Sequence, residues 1–273
     1  MIRDLTRWSI VAALAMFTSA TANSADERPP VDVELVLAVD ISYSMDYDEL
    51  ALQREGYILA ITSEQFIDAL RRGPLGKIAV TYVEWAGSGE QQVVVPWQVI
   101  DGPASADAYA EKLRSAPIRR AYRTSISGAL KFSADLFGTN FKGIRRVIDV
   151  SGDGTNNQGD LIEPTRGEVL GKGITINGLP ILLKTPYASM IDLPELDLYY
   201  EDCVIGGPGA FLVPVRERHH FADAIRNKLV LEVAGIAPRW HAEDLVVPAV
   251  SPPRVSCTIG EQMWQRRWGG GGQ

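Results

Sequence analysis

The chain has 273 residues, 46% of them hydrophobic and 22% charged, with a formal net charge of −7. That is ample for one α/β domain with a substantial core. The acidic balance and the lack of a basic stripe argue against nucleic-acid binding. No segment approaches the ~18 continuous apolar residues of a membrane-spanning helix.

Arg3 and Arg7 precede an apolar run from Trp8 to Phe17, and small residues follow through Ala25. This is the layout of a secretory signal, with cleavage expected at Ala20-Thr21-Ala22 or Asn23-Ser24-Ala25; an uncleaved anchor is the other reading of the same run. The expectation is a signal peptide over residues 1–25, a periplasmic or secreted location, and no stable membrane insertion after cleavage. Loss of Arg3, Asp4 and Arg7 would take the formal charge from −7 to −8. Cys203 and Cys257 are the two cysteines. In an oxidising compartment they can pair, which contributes about 4 kcal/mol in the chain-entropy model; two buried free thiols are the alternative.

A polar lead-in is followed by the β-branched run Val33 to Val39, which reads as a buried strand ending at Asp40. Acids at 46, 48 and 49 mark a helix start, and Leu50, Tyr57 and Ile61 share a face. The stripe loses phase near Ser63, so the helix to about Arg72 is expected to kink or to be buried on two sides, and Gly73-Pro74 stops it. Lys77 to Trp85 and Gln91 to Ile100 read as a hairpin around Gly87-Ser88-Gly89, with Pro96 placing the second strand at an edge.

Helices are expected over Ser105–Arg114 and from about Thr124, where Ile126, Leu130, Ser133 and Phe137 fall at helical spacing. Ile144 to Ser151 is a fourth strand, followed by Gly152-Asp153-Gly154, a polar loop and a helix to about Leu170. Ile174–Leu183 is a fifth strand. Residues 184–209 read as irregular, with a short helix at Glu195–Cys203. Phe211–Val215 is a sixth strand, and Phe221, Ile225 and Leu229 mark a last helix ending at Gly235. Residues 236–273, rich in Pro, Trp and Gly, read as a tail mostly without a core of its own. Strands alternating with helices predict a doubly wound, mostly parallel sheet covered on both faces, over residues 31–235.

In such a sheet, ligands bind at the carboxyl ends of the strands where the strand order reverses. The first strand ends in Asp40-Ile-Ser42-Tyr-Ser44, the fourth in Asp153, and Thr124 precedes the helix between them. A carboxylate followed by two hydroxyls offers hard oxygen donors, the chemistry of Mg²⁺ or Ca²⁺ rather than of Zn²⁺ or Cu²⁺. A strand end with a helix N-cap explains Asp40 to Ser44 equally well in isolation. The convergence of five oxygen side chains from three segments favours the cation.

Asp40-x-Ser42-x-Ser44, Thr124 ahead of Ala129-Leu130, and Ser151-Gly152-Asp153-Gly154 together resemble the von Willebrand factor A domain with its metal-ion-dependent adhesion site. The likeness is to an exported bacterial branch with no assigned function. It implies a six-stranded sheet, antiparallel at one edge, and a Mg²⁺ (or Mn²⁺ or Ca²⁺) held directly or through water by Asp40, Ser42, Ser44, Thr124 and Asp153. It also implies a protein partner that completes the metal's coordination with an acidic side chain. The extra glycine of Ser-Gly-Asp-Gly departs from the usual Thr-Asp-Gly or Ser-Asp-Gly.

Other residues carry two readings each. Glu84 is an acceptor behind the ligands, orienting Ser42 or a water, or else a solvated strand end. Asp149, inside a buried strand, needs a partner, and an arginine is expected. Arg119, Arg120 and Arg123 either favour an anionic ligand or form a solvated loop. Asn156 and Asn157 either rim the pocket or serve turn chemistry. His219, His220 and His241 have no zinc-type spacing, and neither a Gly-x-Ser-x-Gly elbow nor a phosphate-cradling loop is present.

A divalent-cation-dependent, non-enzymatic binding module of the cell envelope is therefore the leading expectation. A Mg²⁺-dependent hydrolase or phosphotransferase using Asp40 is one alternative, although the usual second acid two residues on is here Ser42. A subunit of a larger envelope assembly, docking through tail residues Trp240, Trp264 and Trp268, is another.

Overall fold

The structure is a computed structural model that describes residues 27–183, 193–235 and 254–268. Residues 1–25, Trp240 and the terminal glycines, on which several expectations rest, lie outside them. The elements run β1 (Pro30–Asp40), α1 (Tyr47–Ile61), α2 (Glu64–Arg71), β2 (Ile78–Trp85), β3 (Gln91–Ile100), α3 (Pro103–Ser115), α4 (Ile126–Asp135), β4 (Lys142–Gly152), α5 (Ile162–Gly171), β5 (Thr175–Pro180), α6 (Leu196–Tyr199), α7 (Phe221–Ala234) and α8 (Ile259–Trp268).

The sheet order is β3-β2-β1-β4-β5, parallel except for the edge pair β2–β3. Alternation along β1 divides the core. Leu35, Leu37 and Val39 pack under α1, α2, α3 and α7, while Val36 and Ala38 pack under α4, α5 and α6. The loss of phase near Ser63 is a break between α1 and α2, with the Ser63 hydroxyl capping the second helix. Asp46 and Glu49 form a reciprocal capping box at the start of α1. That fixes where the helix begins, just after Ser44.

The expected sixth strand is not a regular strand. Phe211–Val215 runs beside β5, bonded from Gly178 N to Phe211 O, Val213 N to Gly178 O, Val215 N to Pro180 O and Leu182 N to Val215 O. The missing rung is the one Pro180 would donate, and proline has no N–H. β5 runs Thr175–Pro180, short of the expected Leu183.

The segment read as a tail carries α8 and is covalently tied back. Cys203 and Cys257 form a disulfide, so the pairing holds and the free-thiol alternative does not. No helix among the described residues is long and apolar enough to cross a membrane.

Candidate metal centre

Parallel pairing places Asp40 opposite Trp85 on one side of β1 and Val39 opposite Ser151 on the other. The carboxyl ends of β1 and β4 therefore lie side by side at the point where the strand order reverses. Asp40 is fully buried, and its Oδ1 accepts from Ser42 N at 2.7 Å, which curls the chain at the end of the strand. Ser42 Oγ lies 2.6 Å from Ser44 Oγ, and Ser44 Oγ donates to Asp153 Oδ1 at 2.5 Å. Three of the five predicted donors, Ser42, Ser44 and Asp153, are thus linked oxygen to oxygen across two strand ends, and Asp40 joins them through the backbone N–H of Ser42.

Thr124 is brought to the same crevice by the loop before α4. Its N–H donates to Asn157 Oδ1 at 3.1 Å, and Asn157 N donates back to Thr124 O at 2.9 Å. Its hydroxyl lies 3.6 Å from where a Cβ on Gly154 would sit. The loop is also sewn to the segments that follow β1 and β2: Tyr43 N donates to Ala121 O, Ala121 N to Ile41 O, and Ser125 N to Ala86 O. Asn157, considered only for rimming or turn chemistry, is thus the brace of Thr124. An Asn facing backbone on both sides leaves no spacing signal to read.

Gly152 explains the departure from the usual strand end. A Cβ there would lie 2.9 Å from Asp40 Oδ2 and 2.9 Å from Tyr200 Oη, closer than real Cβ contacts allow. The glycine lets β4 press against the Asp40 carboxylate. Tyr200, in the turn after α6, is fully buried in this floor, and its phenol pKa is raised by burial and then by the charges of Asp40 and Asp153, so it stays protonated. Nothing in the sequence around Leu198-Tyr199-Tyr200 singles it out.

Other residues are placed differently from expectation. Glu84 is not a solvated strand end. It is buried and paired with Arg54 of α1, which also donates to the carbonyls of Ala116 and Pro117. Burial raises the Glu84 pKa, and Arg54 opposes that rise. Asn156 turns inward instead of rimming the pocket: its Oδ1 accepts from Ser127 N, while Nδ2 donates to Asp160 O and to Glu261 Oε1 of α8. Arg123 adopts a left-handed conformation, φ 75°, and stacks its guanidinium 3.4 Å from the Trp264 ring centroid.

Asp149 is paired with a lysine, not an arginine. Lys228 Nζ lies 2.7 Å from Asp149 Oδ1 and 2.6 Å from Glu232 Oε1, all three residues being buried. Glu217, His219 and His220, passed over in sequence, approach one another at the start of α7, but all three are exposed.

The donor set fits a hard divalent cation: five oxygen side chains, two of them carboxylates, against a backbone stripped of Cβ atoms at Gly152. A family model described as "Protein of unknown function (DUF1194)" matches residues 30–237. The chain belongs to this family. A comparison with curated proteins finds no match.

Solved structures share the fold at low identity. The mussel byssus proximal thread matrix protein 1, in a form with a zinc-occupied metal-ion-dependent adhesion site, matches with TM-score 0.54 and 15% identity, over 76% of this chain and 49% of that one. The von Willebrand factor type A protein from Catenulispora acidiphila matches with TM-score 0.50 and 17% identity, over 75% and 43%. The vWF domain of the type V pilus tip protein Mfa5 from Porphyromonas gingivalis matches with TM-score 0.52 and 12% identity, over 76% and 96%. This member of the family therefore has the von Willebrand factor A fold. It spans about half the length of the byssus protein.

Proposed function

We propose that the chain is a divalent-cation-dependent binding module of the cell envelope and not an enzyme. It holds an acidic group of a protein partner through a metal at Asp40, Ser42, Ser44, Thr124 and Asp153. The observation that carries this reading is the hydrogen-bonded cluster in which Asp40 holds the Ser42 N–H while the Ser42 and Ser44 hydroxyls lead to the Asp153 carboxylate. A bound cation would supply a Lewis-acidic position open to a partner's carboxylate. Asp40 and Asp153 would neutralise it, the hydroxyls of Ser42, Ser44 and Thr124 would complete its shell directly or through water, and Tyr200 would keep the floor protonated and closed.

Mg²⁺ is the ion the all-oxygen set favours, with Mn²⁺ and Ca²⁺ as alternatives. The zinc in the byssus protein's site belongs to that protein and leaves the ion here to be measured. An envelope location is supported by the disulfide, which suits an oxidising compartment, and by the signal-like first residues. The deciding experiment is calorimetric titration of Mg²⁺ and Mn²⁺ into the purified chain and into Asp40→Ala. Saturable binding lost in the variant supports the proposal, and equal affinity in both removes it.

A further inference from the structure

We infer that the recess beside the metal crevice is a second anion subsite, where Arg120 and Arg123 take a second acidic side chain of the same peptide whose first carboxylate sits at the cation. The inference rests on the cation reading above and names the partner's chemistry: a peptide segment with two acids.

The recess, of about 430 Å³, is walled by Tyr43, the turn from Gly87 to Glu90, Arg119, Arg120 and Arg123. It adjoins the crevice through the covalent chain itself. Tyr43 stands between Ser42 and Ser44, and Arg123 immediately precedes Thr124. The backbone bonds of Ile41 and Tyr43 with Ala121 fix the two loops against each other.

The handling of the arginines is the main observation. Arg120 lies 4.7 Å from the Tyr43 ring centroid and 5.2 Å from that of Tyr47, with Nη2 donating to Tyr43 O at 2.8 Å. Arg123 stacks on Trp264. No carboxylate among the described residues pairs with either, whereas Arg119 is bonded to Gln92 and lies 3.9 Å from Glu90. In a chain of net charge −7, the lining of this recess sets three guanidiniums against the one carboxylate of Glu90, and two of the three are held by rings instead of acids. Ring stacking fixes the guanidinium plane and leaves edge N–H groups for a carboxylate.

The surroundings fit a peptide. Tyr43, Tyr47 and Tyr122 are 46%, 60% and 75% exposed around the recess, and tyrosine with arginine is the composition of protein-interface anchors. Nothing lies within 4 Å of a Cβ placed on Gly89, so a chain can pass over that turn.

The test uses fluorescein-labelled Gly-Asp-Gly-Gly-Asp-Gly and its Gly-Asp-Gly-Gly-Asn-Gly control, read by anisotropy against the purified full chain in Mg²⁺. Companion probes step the second aspartate along the peptide. The best diacid is expected to bind about tenfold tighter than the control, a charged hydrogen bond's effect. The advantage is expected to vanish in Arg120→Gln/Arg123→Gln, with Mg²⁺ binding retained. In the wild type it is expected to shrink as NaCl rises, which tests the same charge without any substitution.

Equal binding of control and diacids by the wild type overturns the inference. So does an advantage that survives the double variant or is insensitive to salt, and so does failure of every probe to bind the Mg²⁺-loaded chain. In each of these cases the metal reading stands. A wild type that takes up no Mg²⁺ overturns both.

Discussion

Lys228→Met is expected to destabilise the fold strongly, and more so at neutral than at acid pH. Lys228 is buried between Asp149 on β4 and Glu232 one turn along α7, and Asn177 Nδ2 of β5 donates to the far oxygen of Glu232 at 2.7 Å. Burial alone would lower the Lys228 pKa, but Asp149 and Glu232 override it and raise it. Methionine keeps the unbranched stem, so what is lost is the charge. Two buried carboxylates then remain without a cation, which costs about 3–5 kcal/mol. For a domain of this size that is a fall of about 6–20 °C in Tm.

The pH window follows from Asp149, pushed up to about 6 from 3.8 by burial, with Lys228 opposing and Glu232 adding to the rise. An acid whose pKa is raised on folding favours the fold at pH values below its unfolded value. That contribution disappears as pH rises through the folded value. Removing Lys228 raises the acid further, so the deficit of the variant is largest near pH 7.5 and shrinks towards about pH 4. Urea unfolding followed by tryptophan fluorescence at both ends of that window measures it. A loss below about 1 kcal/mol at neutral pH, or an equal loss at both, would refute the buried-triad account.

Gly152→Ala is expected to lower Mg²⁺ affinity by about tenfold or more, since the new Cβ meets Asp40 Oδ2 and Tyr200 Oη at 2.9 Å and one of them must shift, at some cost to stability. Calorimetry beside circular dichroism separates the two effects, and full affinity would show that the close approach is dispensable. Cys203→Ser/Cys257→Ser is expected to cost about 2–5 kcal/mol of stability by denaturant titration. It is also expected to release α8, moving the emission of Trp264 as its stack on Arg123 opens. A double variant as stable as the wild type would mean that α8 is held without the bond.

Most of what positions the site was legible because it is written in local patterns. The β-branched run to Asp40, the hairpin glycines and the helical stripe after Thr124 each specify an element, and the strand order then brings Asp40, Ser42, Ser44 and Asp153 to one crevice. What was illegible depends on pairing across the sequence. Glu84 reads as a solvated strand end until Arg54, thirty positions earlier, is seen to reach it. Asn156 reads as a rim residue until Ser127, Asp160 and Glu261 are seen to bond it from three directions. The strand read as Ile174–Leu183 is regular only to Pro180, whose missing N–H leaves a gap in the ladder with Phe211–Val215, and a run of apolar residues hides that gap.

The buried polar residues of β4 also bear on how the crevice stays assembled. Side chains of β4 alternate: Ile148 and Val150 point into the α4–α6 core, while Val147 joins the opposite core and Asp149 and Ser151 share its face. There Lys228 of α7 meets Asp149, and Gln53 Nε2 of α1 donates to Ser151 Oγ at 3.3 Å. A one-residue slip of β4 would turn Asp149 towards Leu130 and Val169, leaving an acid among apolar side chains without its lysine. The same slip would carry Asp153 away from Ser44. The register that stabilises the buried triad is therefore the register that sets two carboxylates side by side at the strand ends. The polar column under the helices penalises a slip that would dismantle the candidate metal centre.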